Sequence, residues 1–398
     1  MSLAGLDWPN AHCCGYQQRQ RGSSQMLKRS IAIAIVFCGV AISLTIAILV
    51  HIRETGWSEL VLETAQSADS SSYVPVLAPP QIPCPAGPTG VFYGVVGHVA
   101  QGGVYTARSY TAQVSQLRDL GITLYAQDLD DKATAEHVAQ LARVAAAQCV
   151  GVLPLVITPE VQANLNEATA YDQGHKLGVD AATALKGLVS YYQVGNEFEN
   201  DVIHEGESGD YPTQYDNAKY LKARGAIRGM IAGIKQVQPS AKIVLSPLSW
   251  LHYGFSDMLK DGTQPDGTRD STKVVEWDVT AWHWYSEMSP NRNSQPPQPD
   301  VLKQVLTHLS QRYQKPIWFT EFGVRPDYSG GDPGAYLVGQ DGLAGFVEDA
   351  KKYGIQNVTI YQLYDQPDEK YGLIYGDGEK PKPRFEQVKR FIEAHPMP

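Results

Sequence analysis

The chain predicts an α/β fold, a (β/α)8 TIM barrel preceded by an N-terminal transmembrane helix. Three observations predict it. Eight short apolar runs alternate with longer amphipathic stretches between Gly90 and Ala394. Twenty residues, Ile31 to Val50, carry no charge. Two of the apolar runs end on a glutamate, at Glu197 and at Glu321.

Residues 1–29 form a cytoplasmic segment in this reading, because Arg19, Arg21, Lys28 and Arg29 precede the apolar run while Glu54, Glu59 and Glu63 follow it. Residues 30–52 are the transmembrane helix, long enough to cross a hydrocarbon layer of ~30 Å. A cleaved signal peptide has a shorter apolar stretch and a small-residue cleavage site. No Ala-x-Ala-like site follows Val50, so an uncleaved signal-anchor is expected. The catalytic domain is then periplasmic or otherwise extracytoplasmic. Residues 53–89 are a juxtamembrane segment and linker, rich in serine and proline from Ser67 to Gly90, which cannot build a core.

Residues 90–398 are the barrel domain. The apolar runs at 91–96, 122–127, 152–157, 188–194, 242–246, 278–284, 316–322 and 357–364 have the length and β-branched or aromatic content of strands. Between them, helical patterns run over 110–120, 133–148, 168–187, 215–238, 301–312 and 342–353, and a last one over 384–394. Only the connection 249–276 reads as irregular, with one turn of helix at Met258–Lys260. Eight strands with intervening helices favour the closed barrel. The alternative is a doubly wound sheet, but no G-x-G-x-x-G follows the first strand.

The formal charge of -9 argues against nucleic acid, which requires a basic face. Hydrophobic content of 43% suits a globular core. Of the five cysteines, Cys84 and Cys149 fall on the exported side, where a Cys84–Cys149 disulfide is expected.

In such a barrel the chemistry sits where strands end. The fourth run ends in Asn196-Glu197, the sixth in His283 and Tyr285, the seventh in Glu321, and the eighth in Tyr361, Gln362 and Tyr364. Two carboxyl groups would therefore face each other across the barrel mouth. Cleaving a glycosidic bond needs one acid to protonate the departing oxygen and one carboxylate to capture the oxocarbenium-like carbon. A carboxyl in a partly dry site beside another carboxylate has its pKa raised and can hold that proton. Surface acids of loops are the bland alternative for either glutamate alone.

The motifs V-G-N-E-F-E, W-H-W-Y and W-F-T-E-F-G resemble glycoside hydrolase clan A, retaining (β/α)8 enzymes, with families 39 and 5 nearest. The resemblance covers Gly90 to Ala394, and the anchor further resembles membrane-anchored exopolysaccharide-associated members. It implies Glu197 as acid/base, Glu321 as nucleophile, Asn196 on the sugar 2-hydroxyl, Tyr285 orienting Glu321, and His283 lining the site. Two departures stand out. The strand-eight Trp of many members is replaced by YQLYDQ, and no strand-two Arg is evident in LYAQDLDD.

Among other candidates, Glu199 competes for the acid role, and the preceding Asn favours Glu197. His98 and Asp128 are candidates for sugar hydroxyls; Asp130 or Asp131 is expected to cap the next helix. Trp250, Trp282, Trp284 and Tyr364 are candidates for stacking on sugar rings. Alternation would turn one of Trp282 and Trp284 into the barrel and the other toward the helices. Trp318 reads as structural, Gly330–Gly334 as a loop, and the sequon at Asn357 as buried strand. No metal or other cofactor is implied, and His98, Asp128 and Asp130 lack ligand spacing.

The expected partners are thus a polysaccharide or oligosaccharide substrate, the membrane through the N-terminal helix, and a polysaccharide synthesis or export complex. A non-catalytic glycan-binding scaffold and a transglycosylase are the alternatives to hydrolysis.

Overall fold

Parallel strands dominate the computed structural model, which describes residues 90–158, 166–289, 300–326, 328 and 330–398, all within the unit Ile82–Pro398. The strands are β1 (Tyr93–Gly97), β2 (Leu124–Leu129), β3 (Gly151–Val156), β4 (Tyr191–Val194), β5 (Lys242–Leu245), β6 (Leu248–Ser249), β7 (Thr280–Tyr285), β8 (Ile317–Gly323) and β9 (Ile355–Ile360). They form one sheet in the order β5-β4-β3-β2-β1-β9-β8-β7-β6. The two ends of that order meet. Val244 bridges Val279 in parallel, and the Leu245 N–H donates to the Val279 carbonyl at 3.0 Å.

β5 and β6 are two pieces of one barrel strand, separated by Ser246 and Pro247. Proline has no N–H to give to a ladder, so the strand breaks there. The Pro247 carbonyl instead accepts the Glu197 N–H at 3.2 Å. The arrangement is the TIM-like barrel that the eight apolar runs predict, and each run contains a strand.

Burial on both faces explains the composition of the strands. Every residue of β1, β2, β7 and β8 is buried. Helices over Tyr110–Leu120, Lys132–Ala146, Glu167–Leu185, Asn217–Val237, Val301–Tyr313, Leu343–Tyr353 and Pro383–Ala394 follow the sequence pattern closely. Their starts are set by side-chain caps: Ser109, Asp131, Asn166, Asp216 and Asp300 each accept a first-turn N–H. Asp131, with Thr134, makes a reciprocal capping box.

Two connections differ from the sequence reading. The fifth contains a nine-residue helix, Tyr253–Asp261, where one turn was expected. Gly254 and Ser256 weaken its intrinsic propensity, and burial of Phe255, Met258 and Leu259 supplies the stabilisation. After β8, Asp332 caps a helix over Pro333–Val338, so only the first part of the Gly330–Gly334 stretch is a loop.

The helices Glu167–Leu185 and Asn217–Val237 pack unusually close. A Cβ added at Gly229 would lie 2.0 Å from the Tyr171 carbonyl oxygen, and one at Gly233 2.2 Å from that of His175. Gly174 and Gly178 face Ala226 and Met230 as closely in the other direction. Glycine every fourth residue puts the small positions on one face of each helix. Arg224, buried at the same interface, pairs with Glu167 through two hydrogen bonds of 2.9 and 3.1 Å.

Among the described residues no helix is long and apolar enough to cross a membrane. The expected anchor, Ile31–Val50, and the linker lie outside the described residues, as does Cys84. Cys149 is disulfide-bonded. Asn357 is fully buried and its amide donates to the Val91 carbonyl at 2.6 Å. Trp318 is buried in the core, its ring 4.9 Å from that of Tyr191.

Candidate active site

Strand ends β4, β7 and β8 bring three ionisable side chains together. An oxygen of Glu197, a nitrogen of His283 and an oxygen of Glu321 all lie within 4.8 Å of one another. The register explains this: His283 on β7 pairs with Glu321 on β8, and Ser249 on β6 pairs with His283. A shift in register between Trp282 and His283 marks a bulge at this level, a common device for aiming a side chain.

Glu197 is placed by an uncommon backbone. Its φ of 43° is in the left-handed region, which non-glycine residues rarely occupy. Gly195 before it has φ 85°, and a Cβ there would meet the Phe198 ring at 2.3 Å. The turn carries the chain from β4 into a short helix, Phe198–Val202, with Glu197 at its start. Such positions persist where surrounding structure holds them, and they cluster at active sites.

The Glu197 carboxylate accepts a hydrogen bond on each oxygen. His283 Nδ1 lies 2.8 Å from Oε1, and the Asn200 amide donates to Oε2 at 3.0 Å. The same His283 nitrogen lies 3.4 Å from Glu321 Oε2. The Tyr285 hydroxyl donates to Glu321 Oε2. Both glutamates keep a little exposure, 8% and 4%, while His283 has none.

Burial raises the pKa of Glu321; the His283 charge and the Tyr285 hydrogen bond pull it down, and the Glu197 charge adds to the rise. The net direction is upward. For His283, burial pulls its pKa down, but the Glu321 charge and the Glu197 hydrogen bond outweigh it, and the net direction is upward. The imidazole therefore tends toward the cation where it lies between the two carboxyls.

Glu199 is the second acid of the N-E-F-E motif, and it is turned away from this cluster. Fully buried, its Oε1 accepts the Ser249 N–H at 2.8 Å and lies 3.3 Å from His252 Nδ1. Burial raises its pKa, and His252 offsets part of that rise. It ties the end of β6 to the turn that carries Glu197.

On the opposite wall, His98 at the end of β1 pairs with Asp128 on β2, Nδ1 to Oδ2 at 3.2 Å. Asp128 also accepts the Ala100 N–H at 3.0 Å. Burial lowers the His98 pKa, but the Asp128 hydrogen bond and charge outweigh it, and Glu369 and Glu321 add to the net rise. His98 Nε2, His283 Nε2 and Asn196 Oδ1 are buried and meet no protein partner.

The aromatic expectations fare differently. Trp282 and Trp284 are both fully buried. The Trp282 indole donates to the Trp250 carbonyl at 3.2 Å, and the Trp284 ring stacks on that of Trp250 at 6.2 Å. Both are engaged with Trp250 rather than divided between barrel and helices, because residues two apart on a strand point to the same face, and neither offers an open ring face. Trp250 itself is half-buried, with φ 47°. Tyr364 packs on Tyr105 and donates to Gln116 on the neighbouring helix, away from the acids.

Of the two tyrosines that end the eighth run, Tyr361 is the one that borders Tyr285 and the acids. Its ring lies 5.9 Å from Tyr285, 5.3 Å from Tyr371 and 5.3 Å from His98. Tyr361 and Tyr371 thus pack against the ring of Tyr285, whose hydroxyl donates to Glu321. Sequence reasoning missed Tyr371, Glu369, Asn200 and His252. Asn200, three residues after Glu197 in a short helix, was within reach of a spacing argument. The loop residues 369 and 371 carried no periodic signal.

Glu197, His283 and Glu321 are also the residues among those described that could hold a cation. His283 Nδ1 lies 2.8 Å from Glu197 and 3.4 Å from Glu321, between the two carboxylates. Asp130 is engaged by Thr134 at 3.1 Å rather than by His98.

Comparison with known proteins gives a match to part of the chain and a likeness of fold. The family model described as "Glycosyl hydrolase catalytic core" matches residues 232–337. No curated protein matches the chain in sequence. Among solved structures, the β-glycosidase from the hyperthermophile Thermosphaera aggregans is 13% identical, with TM-score 0.61, covering 78% of this chain and 97% of that one. The virulence factor SghA from Agrobacterium tumefaciens is 12% identical, with TM-score 0.59, covering 78% and 98%. An endocellulase from Pyrococcus horikoshii, solved with cellotetraose, is 13% identical, with TM-score 0.53, covering 76% and 92%. At these identities the likeness to the solved structures is one of fold. The chain resembles the clan A glycoside hydrolases both in its strand-end motifs and in the barrel that carries them.

Proposed function

We propose that the chain is a retaining glycoside hydrolase acting on β-glycosidic bonds, with Glu321 as nucleophile and Glu197 as acid/base. The observation that carries this reading is the approach of the two carboxylates and His283 within 4.8 Å, at the ends of β4, β7 and β8. Retaining enzymes hold the two carboxyls about 5–5.5 Å apart, so that the second can reach the anomeric carbon. Inverting enzymes leave about 6.5–9.5 Å for an intervening water. The close approach favours retention.

The roles follow from the surroundings. Glu321 attacks as an anion; the Tyr285 hydroxyl donates to it, and the charge of His283, 3.4 Å away, supports it. The Tyr285 bond also fixes which oxygen remains free for the sugar. Glu197 sits on a turn, with Asn200 and His283 orienting it, and gives its proton to the departing oxygen. It then takes a proton from the water that releases the sugar, so the two steps invert twice and the anomeric configuration returns. Asn196, His98 and Asp128 are placed to meet hydroxyls, and Trp250 is the one of the three tryptophans with exposed surface.

In this reading Ile31–Val50 anchors the domain outside the cytoplasm, and the linker keeps it near the membrane, where an emerging polysaccharide is the natural substrate. Families 39 and 5 remain the nearest by motif.

The test is product analysis by proton NMR on a panel of β-glucan, β-mannan and β-xylan oligosaccharides. The first-formed product should keep the β configuration, and Glu321→Gln should release none. Inversion at the earliest time points overturns the mechanism. Binding of an oligosaccharide without cleavage would instead indicate a glycan-binding scaffold.

A further inference from the structure

The loop after β9 carries a carboxylate that neither the motifs nor the acid pair explains. Glu369 Oε2 accepts two hydrogen bonds, from the Tyr361 hydroxyl at 2.7 Å and the Gln362 amide at 3.2 Å. Gln362 is fully buried, and its own oxygen accepts from Tyr105 at 3.1 Å and from Gln366 at 3.0 Å. The donors are therefore immobile. Their position is also informative, because Tyr361 packs against Tyr285, which holds the nucleophile, and against His98.

Among the described residues no lysine or arginine pairs with Glu369, although Lys370 and Lys382 are near in the chain. Lys370 donates to the Gln366 carbonyl, and Lys382 pairs with Asp365 at 2.6 Å. Glu369 is half-exposed, and its second oxygen meets no protein group in any described contact. His98 Nε2, across Tyr361, is buried and also without a partner. A carboxylate held on one oxygen by neutral donors, with the other open and an imidazole that packs on the same aromatic ring and has one unpartnered nitrogen, is suited to receive hydroxyl protons.

We propose that Glu369 is a specificity-determining residue, accepting hydrogen bonds from hydroxyls of the sugar that Glu321 attacks, on the wall opposite Glu197. The assignment rests on the glycosidase reading. It predicts that a substrate lacking the recognised hydroxyl loses most of what Glu369 contributes, because a polar site left unpaired rejects the deoxy analogue.

The experiment compares aryl β-glycosides with their monodeoxy analogues at each position, using the full chain and its Glu369→Ala, Glu369→Gln and Tyr361→Phe variants. The wild type should discriminate against one deoxy position by roughly 10–100-fold in kcat/KM, the usual range for a hydrogen bond to a charged group. In Glu369→Ala that ratio should fall to about 3-fold or less, and Tyr361→Phe, which keeps the carboxylate, should retain most of it. If Glu369 merely props Tyr361, its loss lowers parent and deoxy rates together and leaves the ratio intact, which overturns the proposal. Absence of any discrimination by the wild type overturns it too. Calorimetric binding of the same glycosides to Glu321→Gln separates the two claims. Turnover or binding with an unmoved ratio removes only the Glu369 assignment, whereas no turnover and no binding of any glycoside removes the glycosidase reading with it.

Discussion

The two walls of the barrel mouth are built on different terms. On the β4–β7–β8 wall, each carboxylate has at least one donor aimed at it, His283 and Asn200 on Glu197 and Tyr285 on Glu321, while His283 Nε2 is left without a protein partner. On the β1–β2–β9 wall, His98 Nε2 meets no protein atom, and Glu369 is held through one oxygen. The difference fits a division of labour. Groups that move protons must be oriented before the substrate arrives, and groups that read the substrate must keep a hydrogen bond in reserve for it.

The largest effect expected from breaking this contrast is on the first wall. Glu321→Gln should lower kcat by roughly 10⁴–10⁶-fold, as for loss of a nucleophile elsewhere. Glu197→Gln should cost about 10²–10⁴-fold, the range for acid–base assistance, and less for substrates whose leaving group needs no proton. Steady-state rates on an aryl glycoside with a good leaving group and on an oligosaccharide would show that split. Equal losses on both would argue against the acid role of Glu197.

The second wall rests on a loop, and the loop on a buried ion pair. Lys382 Nζ meets Asp365 Oδ1 at 2.6 Å, and Asp365 also accepts the Gly372 N–H. Burial lowers the Lys382 pKa while Asp365 pulls it back. Asp365→Ala leaves the buried ammonium without a counter-ion, held by the Lys370 carbonyl at 3.1 Å, and should destabilise the protein by about 3–5 kcal/mol in denaturant unfolding. A change below about 1 kcal/mol would mean that the loop is held by its other contacts.

A sharper probe of the first wall is Tyr285→Phe, which deletes one charge-assisted donor to Glu321 and should reduce kcat about 10–100-fold with little change in unfolding midpoint. The smallest effect is a displacement of pH dependence. Glu321 must be ionised to attack, burial raises its pKa, and the His283 charge lowers it. His283→Asn removes that lowering, so the acidic limb of the kcat/KM profile should move to higher pH. The support His283 gives is complete at low pH and fades as pH rises through its own raised pKa. A limb that stays in place, or moves to lower pH, would show that the imidazole does not act on Glu321.

Much of the architecture was legible in the sequence because its signals are local. Runs such as KIVLS and DVTAWHW are too apolar and β-branched or aromatic to face water, and the helix between Tyr110 and Leu120 shows its period and its cap together. The nine-residue helix at Tyr253–Asp261 was not legible, because burial rather than propensity holds it. At the site, strand-end glutamates were visible because a barrel confines chemistry to those positions. Tyr364 and Tyr361 were not separable, since the direction of a side chain just past a strand end depends on backbone torsions that residue type does not dictate. Glu369 was invisible for a related reason. Nothing in QPDEKYG distinguishes a solvated loop acid from one folded back over Tyr361 and Gln362.

Sequence alone determined the alternation of strands and helices, the helix starts, and the pair of acids at residues 197 and 321, because period, caps and strand ends are written within a few residues. Tertiary structure alone decided that one imidazole lies between those acids, that Glu199 turns away to Ser249, and which tyrosine borders the site. Those outcomes depend on the register between β7 and β8 and on the left-handed turn at Glu197. Both are set by packing among elements far apart in the chain, where no short window of residues carries the information.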